Sequence, residues 1–414
     1  MLMQTNPRMI RTPSITSHAA PRIHREKRPG LEMAIVPRGA FREFHITLFA
    51  LPGEPLSAQL ARLSGQLREH DAAVVKHDVF GSMAAAREIL AEMKRAFGEV
   101  DWPVTWVEGG PCAPGPVAGM QVFAVSGTPV STVRLDDRAV GRVFDDAWSK
   151  HCLLGDIRPA DSTVSNSTQA WQIYDLIQSG LDQTGMVLSD VVRTWLFLDD
   201  ILAWYGPFNL VRTEIFTQRH LFREWVPAST GIGAKNLENA SLVASAWAVQ
   251  PKDSSASVRE VPSPLQCPAR SYGSCFSRAV ELSTPDLQRL LVSGTASIYP
   301  DGRSARNGDA KGQINLTMEV VEAILESRKL SFSDVTRATA YFKDALDSGL
   351  MSEWCEEHDL RLPVVVTESD VCRDELLFEI ELDAMSNGEG NSAASSASVS
   401  ENEFVEKAPT SPIR

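Results

Sequence analysis

No apolar run in this chain approaches the ~20 residues that a membrane span needs. Cysteine is sparse. The six thiols, Cys112, Cys152, Cys267, Cys275, Cys355 and Cys372, are scattered with no CxxC pair. That argues against a disulfide framework and predicts reduced thiols in a cytoplasmic protein. The eight histidines show no ligand spacing, so no structural zinc is expected. Positive charge is short as well: 40 Lys+Arg face 53 Asp+Glu, a net charge of −13. Such a balance disfavours a general nucleic-acid binder, yet it leaves room for a local cluster of arginines around a small anion. Residues 1–30, rich in Arg, Pro, Ser and His, lack the apolar segment of a secretory signal and read as a disordered basic arm. Residues 386–414 are equally poor in hydrophobic side chains and are expected to be a disordered tail.

What is present is core-forming. Apolar residues make up 43% of 414, too many residues for one ordinary core. Between the two ends lies an internal repeat. SDVVRTWLFLDD, from Ser189 to Asp200, matches SDVTRATAYFKD, from Ser333 to Asp344, pairing Asp190 with Asp334 and Arg193 with Arg337. The same offset pairs Gln169 with Gln313. A helical stripe (Leu316, Val320, Val321, Ile324, Leu325) precedes the second copy, and each copy is a β-branched and aromatic run that reads as a strand. A fainter copy, DAAVVKHDVFGS, places Lys76 at the arginine position. Each copy is followed by a second helix and a Pro-led strand pair. The expectation is α+β, with units at 31–135, 136–255 and 262–385, each a sheet with helices on one face. Three such units close around a pseudo-threefold axis within one chain, which predicts a monomer.

The last strand, within VCRDELLFEIELDA, carries the chemistry. Alternation puts Leu376, Phe378, Ile380 and Leu382 on one face and Leu377, Glu379 and Glu381 on the other. Taken alone, these residues fit an exposed acidic face on an edge strand. A carboxyl on an inward face instead needs a partner or a task.

These stretches, together with RTWLFLDDILAWYGPFNLVRTEIF, VPASTGIGA, SYGSCFSRA and LVSGTASIYPDGRSARNGD, resemble the YjgF/RidA-like (chorismate-mutase-like) superfamily. The version with three tandem units in one chain looks more specifically like the chorismatases. That resemblance implies cleavage of the enolpyruvyl ether of chorismate. Pyruvate is released with either 3-hydroxybenzoate or a dihydroxycyclohexadiene carboxylate, and no metal or organic cofactor takes part. It also implies Glu379 as the general acid. Such an acid must stay protonated near neutral pH, which burial of a carboxyl favours. Glu381 is expected to be solvated or salt-bridged. Cys372, seven residues before Glu379, resembles a feature of the hydroxybenzoate-forming type, whereas Ala279 after Arg278 departs from it.

A dicarboxylate substrate needs cationic forks. The candidates are Arg278 beside Tyr272, Arg212 after Tyr205, Arg193 and Arg373, with Gly294 and Thr295 as backbone donors at a strand end. Arg193 and Arg337 share a repeated position, so a structural role suits them as well. An imine deaminase of the RidA kind is the alternative. It would need an arginine after the Pro-Ala turn, where this chain has Ser229 after Pro227-Ala228 and Val365 after Pro363-Val364. The middle unit is expected to carry Ala244 where the last carries Glu379, giving one site per chain. A non-catalytic binding protein on the same scaffold is the third reading.

Overall fold

The computed structural model describes residues 22–110, 115–222 and 225–388. It contains three six-stranded sheets. The first comprises β1 (His24–Arg28), β2 (Leu31–Arg38), β3 (Phe41–Leu48), β4 (Ala73–Gly81), β5 (Val104–Glu108) and β6 (Val117–Ser126). The second comprises β7 (Val130–Leu135), β8 (Arg138–Asp145), β9 (Ser149–Ile157), β10 (Val191–Leu198), β11 (Ala228–Gly233) and β12 (Leu242–Pro251). The third comprises β13 (Ser257–Val261), β14 (Ala279–Ser283), β15 (Leu287–Ala296), β16 (Val335–Phe342), β17 (Val364–Glu368) and β18 (Phe378–Asn387). Numbering the strands one to six within each unit, every sheet has the order 1-2-3-6-4-5, and only the last pair is parallel. Two helices cover each sheet: α1 (Leu56–Glu69) and α2 (Ala86–Phe97), α3 (Asn166–Asp182) and α4 (Ile201–Gln218), α5 (Ala310–Glu326) and α6 (Gly349–Glu357).

The repeated residues have local reasons. Gln169 and Gln313 lie in the first turns of α3 and α5, and their side-chain oxygens accept the backbone N–H of Ser241 and of Leu377, each at 2.8 Å. Those two residues directly precede β12 and β18, so each glutamine pins a helix start to the central strand of its sheet. Asp190 and Asp334 accept from the backbone N–H three residues earlier, at 2.9 and 2.8 Å, and shape the turn into β10 and β16. In α5 the buried stripe includes Ile314, Thr317 and Met318 with Val320, Val321, Ile324 and Leu325, while Leu316 is only half-buried.

Each sheet packs its outer face on its own helices. The inner faces meet in a shared core of Phe41, Phe80, Phe123, Phe144, Trp195, Phe197, Trp247 and Tyr341, drawn from all three units. Burying a face that one unit leaves open is what drives closure. Arg38 ties one end of the seam, pairing with Glu43 of its own unit, Asp146 of the second and Asp286 of the third.

Several expectations need correcting. β1 lies within the stretch read as a disordered arm, and its pairing with β2 adds an edge to the first sheet. β7, placed in the first unit, pairs with β8 and belongs to the second. β13 falls in the gap left before the third unit, and β18 runs on to Asn387. The rest of the arm, to residue 21, and the tail from 389 lie outside the described residues. The acidic strand is not an edge strand: β18 lies between β15 and β16, and its inner face is buried against the second unit, where Trp195 and Thr230 bond to Glu381. Among the described residues no helix is long and apolar enough to cross a membrane.

Candidate active site

A cavity of about 580 Å³ opens between the second and third units. The second unit supplies Tyr205, Asn209 and Arg212 from α4, and Ser229 and Gly231 from β11. The third supplies Tyr272, Ser274, Phe276 and Arg278, then Gly294 and Ala296 from β15, Cys372 and Arg373, and Glu379 from β18.

Glu379 stands opposite Ala296 on β15 and Tyr341 on β16 and is 5% exposed. Its face of β18 also carries Glu381 and Asp383, while Phe378, Ile380, Leu382 and Ala384 point into the helix-side core. Burial, then the neighbouring Glu381 carboxylate, push Glu379 up to about 8 against the opposing pull of Arg193 and Arg278. The group is therefore a carboxylic acid at neutral pH, with a proton to give. A Cβ on residue 294 would lie 2.0 Å from Glu379 Oε1, so glycine leaves the room that the carboxyl occupies.

Three arginines line the cavity, and among the described residues none forms an ion pair. Arg212 is 2% exposed; it donates to Asn209 Oδ1 at 2.8 Å, and its Nε has no partner among the described residues. Arg278 donates twice to the Cys267 carbonyl, at 3.1 and 2.9 Å, and lies 5.5 Å from the rings of both Tyr272 and Phe276. Arg373 donates to the Gly302 carbonyl at 2.8 Å and lies 5.4 Å from the Tyr272 ring. A buried guanidinium without a counter-ion is costly. Two or three around one cavity favour an anionic ligand held bidentately. Cys372 is partly exposed by area, yet burial and then Glu379 push its thiol up to about 12, so it is a neutral S–H and not a thiolate.

Eight of the ten site residues expected from the sequence line this cavity: Tyr205, Arg212, Tyr272, Arg278, Gly294, Cys372, Arg373 and Glu379. Arg193 and Thr295 do not. Arg193 is fully buried one pleat deeper, bound to Glu381 and to Thr230 Oγ1. Thr295 alternates away from Gly294 and Ala296 and donates to the Ser293 carbonyl at 2.9 Å. Asn209, Ser229, Ser274 and Phe276 were not foreseen. Only Asn209 carried a signal, since it stands one turn before Arg212 on the same helix.

Strand register corrects one further expectation. Glu379 faces Tyr341, Val243 faces Phe197 and Gly119 faces Phe80, so Val243 and Gly119 are its counterparts. Ala244 instead packs on the helix side. Of the three equivalent positions, one carries a carboxyl.

This fold has a solved counterpart, and part of the chain has curated relatives. A chorismatase crystal structure superposes with a TM-score of 0.58, covering 83% of this chain and 98% of that one at 17% identity. The fold is thus the chorismatase-like one, three tandem YjgF/RidA-like units in one chain. Over 94 residues the chain is 32% identical to a RutC family protein of Pyrococcus horikoshii, which is 22% of this chain and 75% of that protein. Over 69 residues it is 35% identical to a RutC family protein of Pyrococcus abyssi, spanning 17% of this chain and about half, 54%, of that relative. The chain belongs to the RutC family. No family model matches it.

Proposed function

We propose that this protein cleaves the enolpyruvyl ether of chorismate and releases pyruvate, with Glu379 as general acid. The observation that carries the reading is a buried carboxyl, pushed up to about 8, in a cavity with three arginines that form no ion pair among the described residues. The chorismatase-like fold supports the choice of substrate.

Protonation of the vinyl carbon by Glu379 leaves an oxocarbenium-like centre. Addition of water gives a hemiketal that collapses to pyruvate and a ring alcohol. Arg212 and Arg278, on opposite units, suit the two substrate carboxylates. Burial strengthens both the proton transfer and these contacts. Cys372, a neutral thiol beside the acid, fits the alternative course in which the ring aromatises to 3-hydroxybenzoate and no water is consumed overall. We place the enzyme in the cytoplasm as a single chain, acting on a small dicarboxylate and not on nucleic acid.

The test is incubation of the native protein with chorismate, with pyruvate measured and the ring product separated by chromatography. Pyruvate with 3-hydroxybenzoate or with the diene diol identifies the reaction and its course. No pyruvate from folded protein contradicts the proposal.

A further inference from the structure

Glu381 follows Glu379 on the same face of β18, so the two carboxyl groups leave the strand about 7 Å apart. Their surroundings differ. Glu381 is 1% exposed and is held from four directions. Thr230 Oγ1 donates at 2.6 Å, Trp195 Nε1 at 3.0 Å and Arg337 Nη1 at 3.0 Å, and Arg193 Nη2 completes the set. Three of these donors come from the second unit and one from the third. Glu379, by contrast, takes no hydrogen bond among the described residues and opens on the cavity. The two guanidinium groups that touch Glu381 leave it no use for a proton. Burial would raise it, but Arg337, Arg193 and the Thr230 hydroxyl hold it at about 2.

We propose that Glu381 is a positioning residue for the Glu379 acid. It is an ionised carboxylate clamped across the seam between units two and three, and its fixed negative charge keeps the neighbouring carboxyl in the proton-donating form. The inference rests on the reading of Glu379 as the acid. Among the described residues the other groups facing Glu379 are Arg278 just before β14, Arg193 from β10, Cys372 from the segment before β18, Tyr205 from α4 and Tyr341 from β16. Arg193 and Arg278 pull toward ionisation, the three remaining groups carry no charge near neutrality, and among the described residues Glu381 alone opposes it with charge. The same arrangement explains why the repeated arginine is buried. In the third unit Arg337 also binds Asp383, at 2.7 Å, so the two arginines divide between two acids, with Glu381 shared.

The test reads the protonation of Glu379 without turnover. The infrared carboxyl band of protein with carbon-13 in its glutamate carboxyl groups is followed against a Glu379→Gln reference. The native midpoint is expected at about 8. Glu381→Gln removes the fixed charge and lowers that midpoint by about one to two pH units. Glu381→Asp keeps the charge and keeps the midpoint above the usual carboxylate range. Thr230→Val removes one donor, leaves the charge less neutralised and moves the midpoint upward. A midpoint that is unmoved or raised in Glu381→Gln overturns the inference. Should that variant not fold, an unmoved or lowered midpoint in Thr230→Val overturns it. Absence of pyruvate release with these shifts in place counts against the proposed reaction alone.

Discussion

Gly294 and Glu379 approach so closely across β15 and β18 that a Cβ on the glycine would lie 2.0 Å from Glu379 Oε1. The glycine is there for room, not for an unusual backbone conformation. Gly294→Ala is expected to push the carboxyl off its position. Because a displaced acid loses most of its advantage, kcat/KM for pyruvate release should fall by about 100-fold or more. The melting temperature should change far less than for a core cavity mutation, since a cavity-facing side chain can shift. Steady-state kinetics and thermal melts on the one variant check both parts.

The protonation of Glu379 sets a pH signature with a definite sign. Its carboxyl is raised from the usual range to about 8 in the folded chain. Between these two values the folded state holds a proton that the unfolded state has released, so this group's contribution to stability falls as pH rises and is lowest above about 8. Glu379→Gln lacks this penalty. Its melting temperature should exceed that of the native protein, by a margin that grows from about pH 5 to about pH 8. The native rate should fall off above about pH 8 as the acid ionises. A margin that shrinks over this range would contradict the assignment.

The arginines of the cavity present a different balance. Arg212 and Arg278 are buried, and neither forms an ion pair among the described residues. Replacing either by Met removes an uncompensated charge and should leave stability unchanged or raised. It should also weaken substrate binding by about 10- to 1,000-fold, the loss of a bidentate carboxylate contact. Lysine should not restore it, because an ammonium lacks the planar fork. Dissociation constants for chorismate measured with the Glu379→Gln background, where no turnover interferes, separate these outcomes.

Closure within one chain predicts a monomer of 45.3 kDa by light scattering. A mass of three chains would contradict it. At the seam, Arg38 donates to both Asp286 oxygens, at 2.9 and 3.0 Å, and contacts Glu43 and Asp146, each from a different unit. Arg38→Ala takes one cation from three carboxylates, leaving Glu43 with Arg289 and Asp146 with His151, and should destabilise the chain by up to about 3–5 kcal/mol in denaturant unfolding.

Much of this was legible in the sequence because repeated residues do repeated jobs. The Gln169/Gln313 and Asp190/Asp334 pairs tie a helix start and a strand start in the second and third units, so the spacing survives there. The first copy is faint because Lys76 pairs with Asp78 two residues along the same strand, a contact that leaves no trace at the repeat spacing. Alternation told which face Glu379 and Glu381 share. It did not tell which strands lie beside them, so the acidic strand read as an edge when both its neighbours are β-strands of its own unit. Register was the other gap. Assigning Ala244 in place of Val243 is a slip of one residue, and one residue flips the face. Arg193 and Thr295 were expected at the cavity for the same reason: residue type and spacing locate a level in the sheet, while depth beneath the pocket floor depends on the packing of two units.

The proposed reaction turns on a proton from Glu379 that breaks the enolpyruvyl ether. The most direct measurement is pyruvate release from chorismate by the native protein and by Glu379→Gln, side by side, with the folded state of each checked by its thermal melt. Steady release is expected from the native chain, and a rate about 100- to 10,000-fold lower in the variant. Release at the native rate by the variant, or none by the native protein, would contradict it.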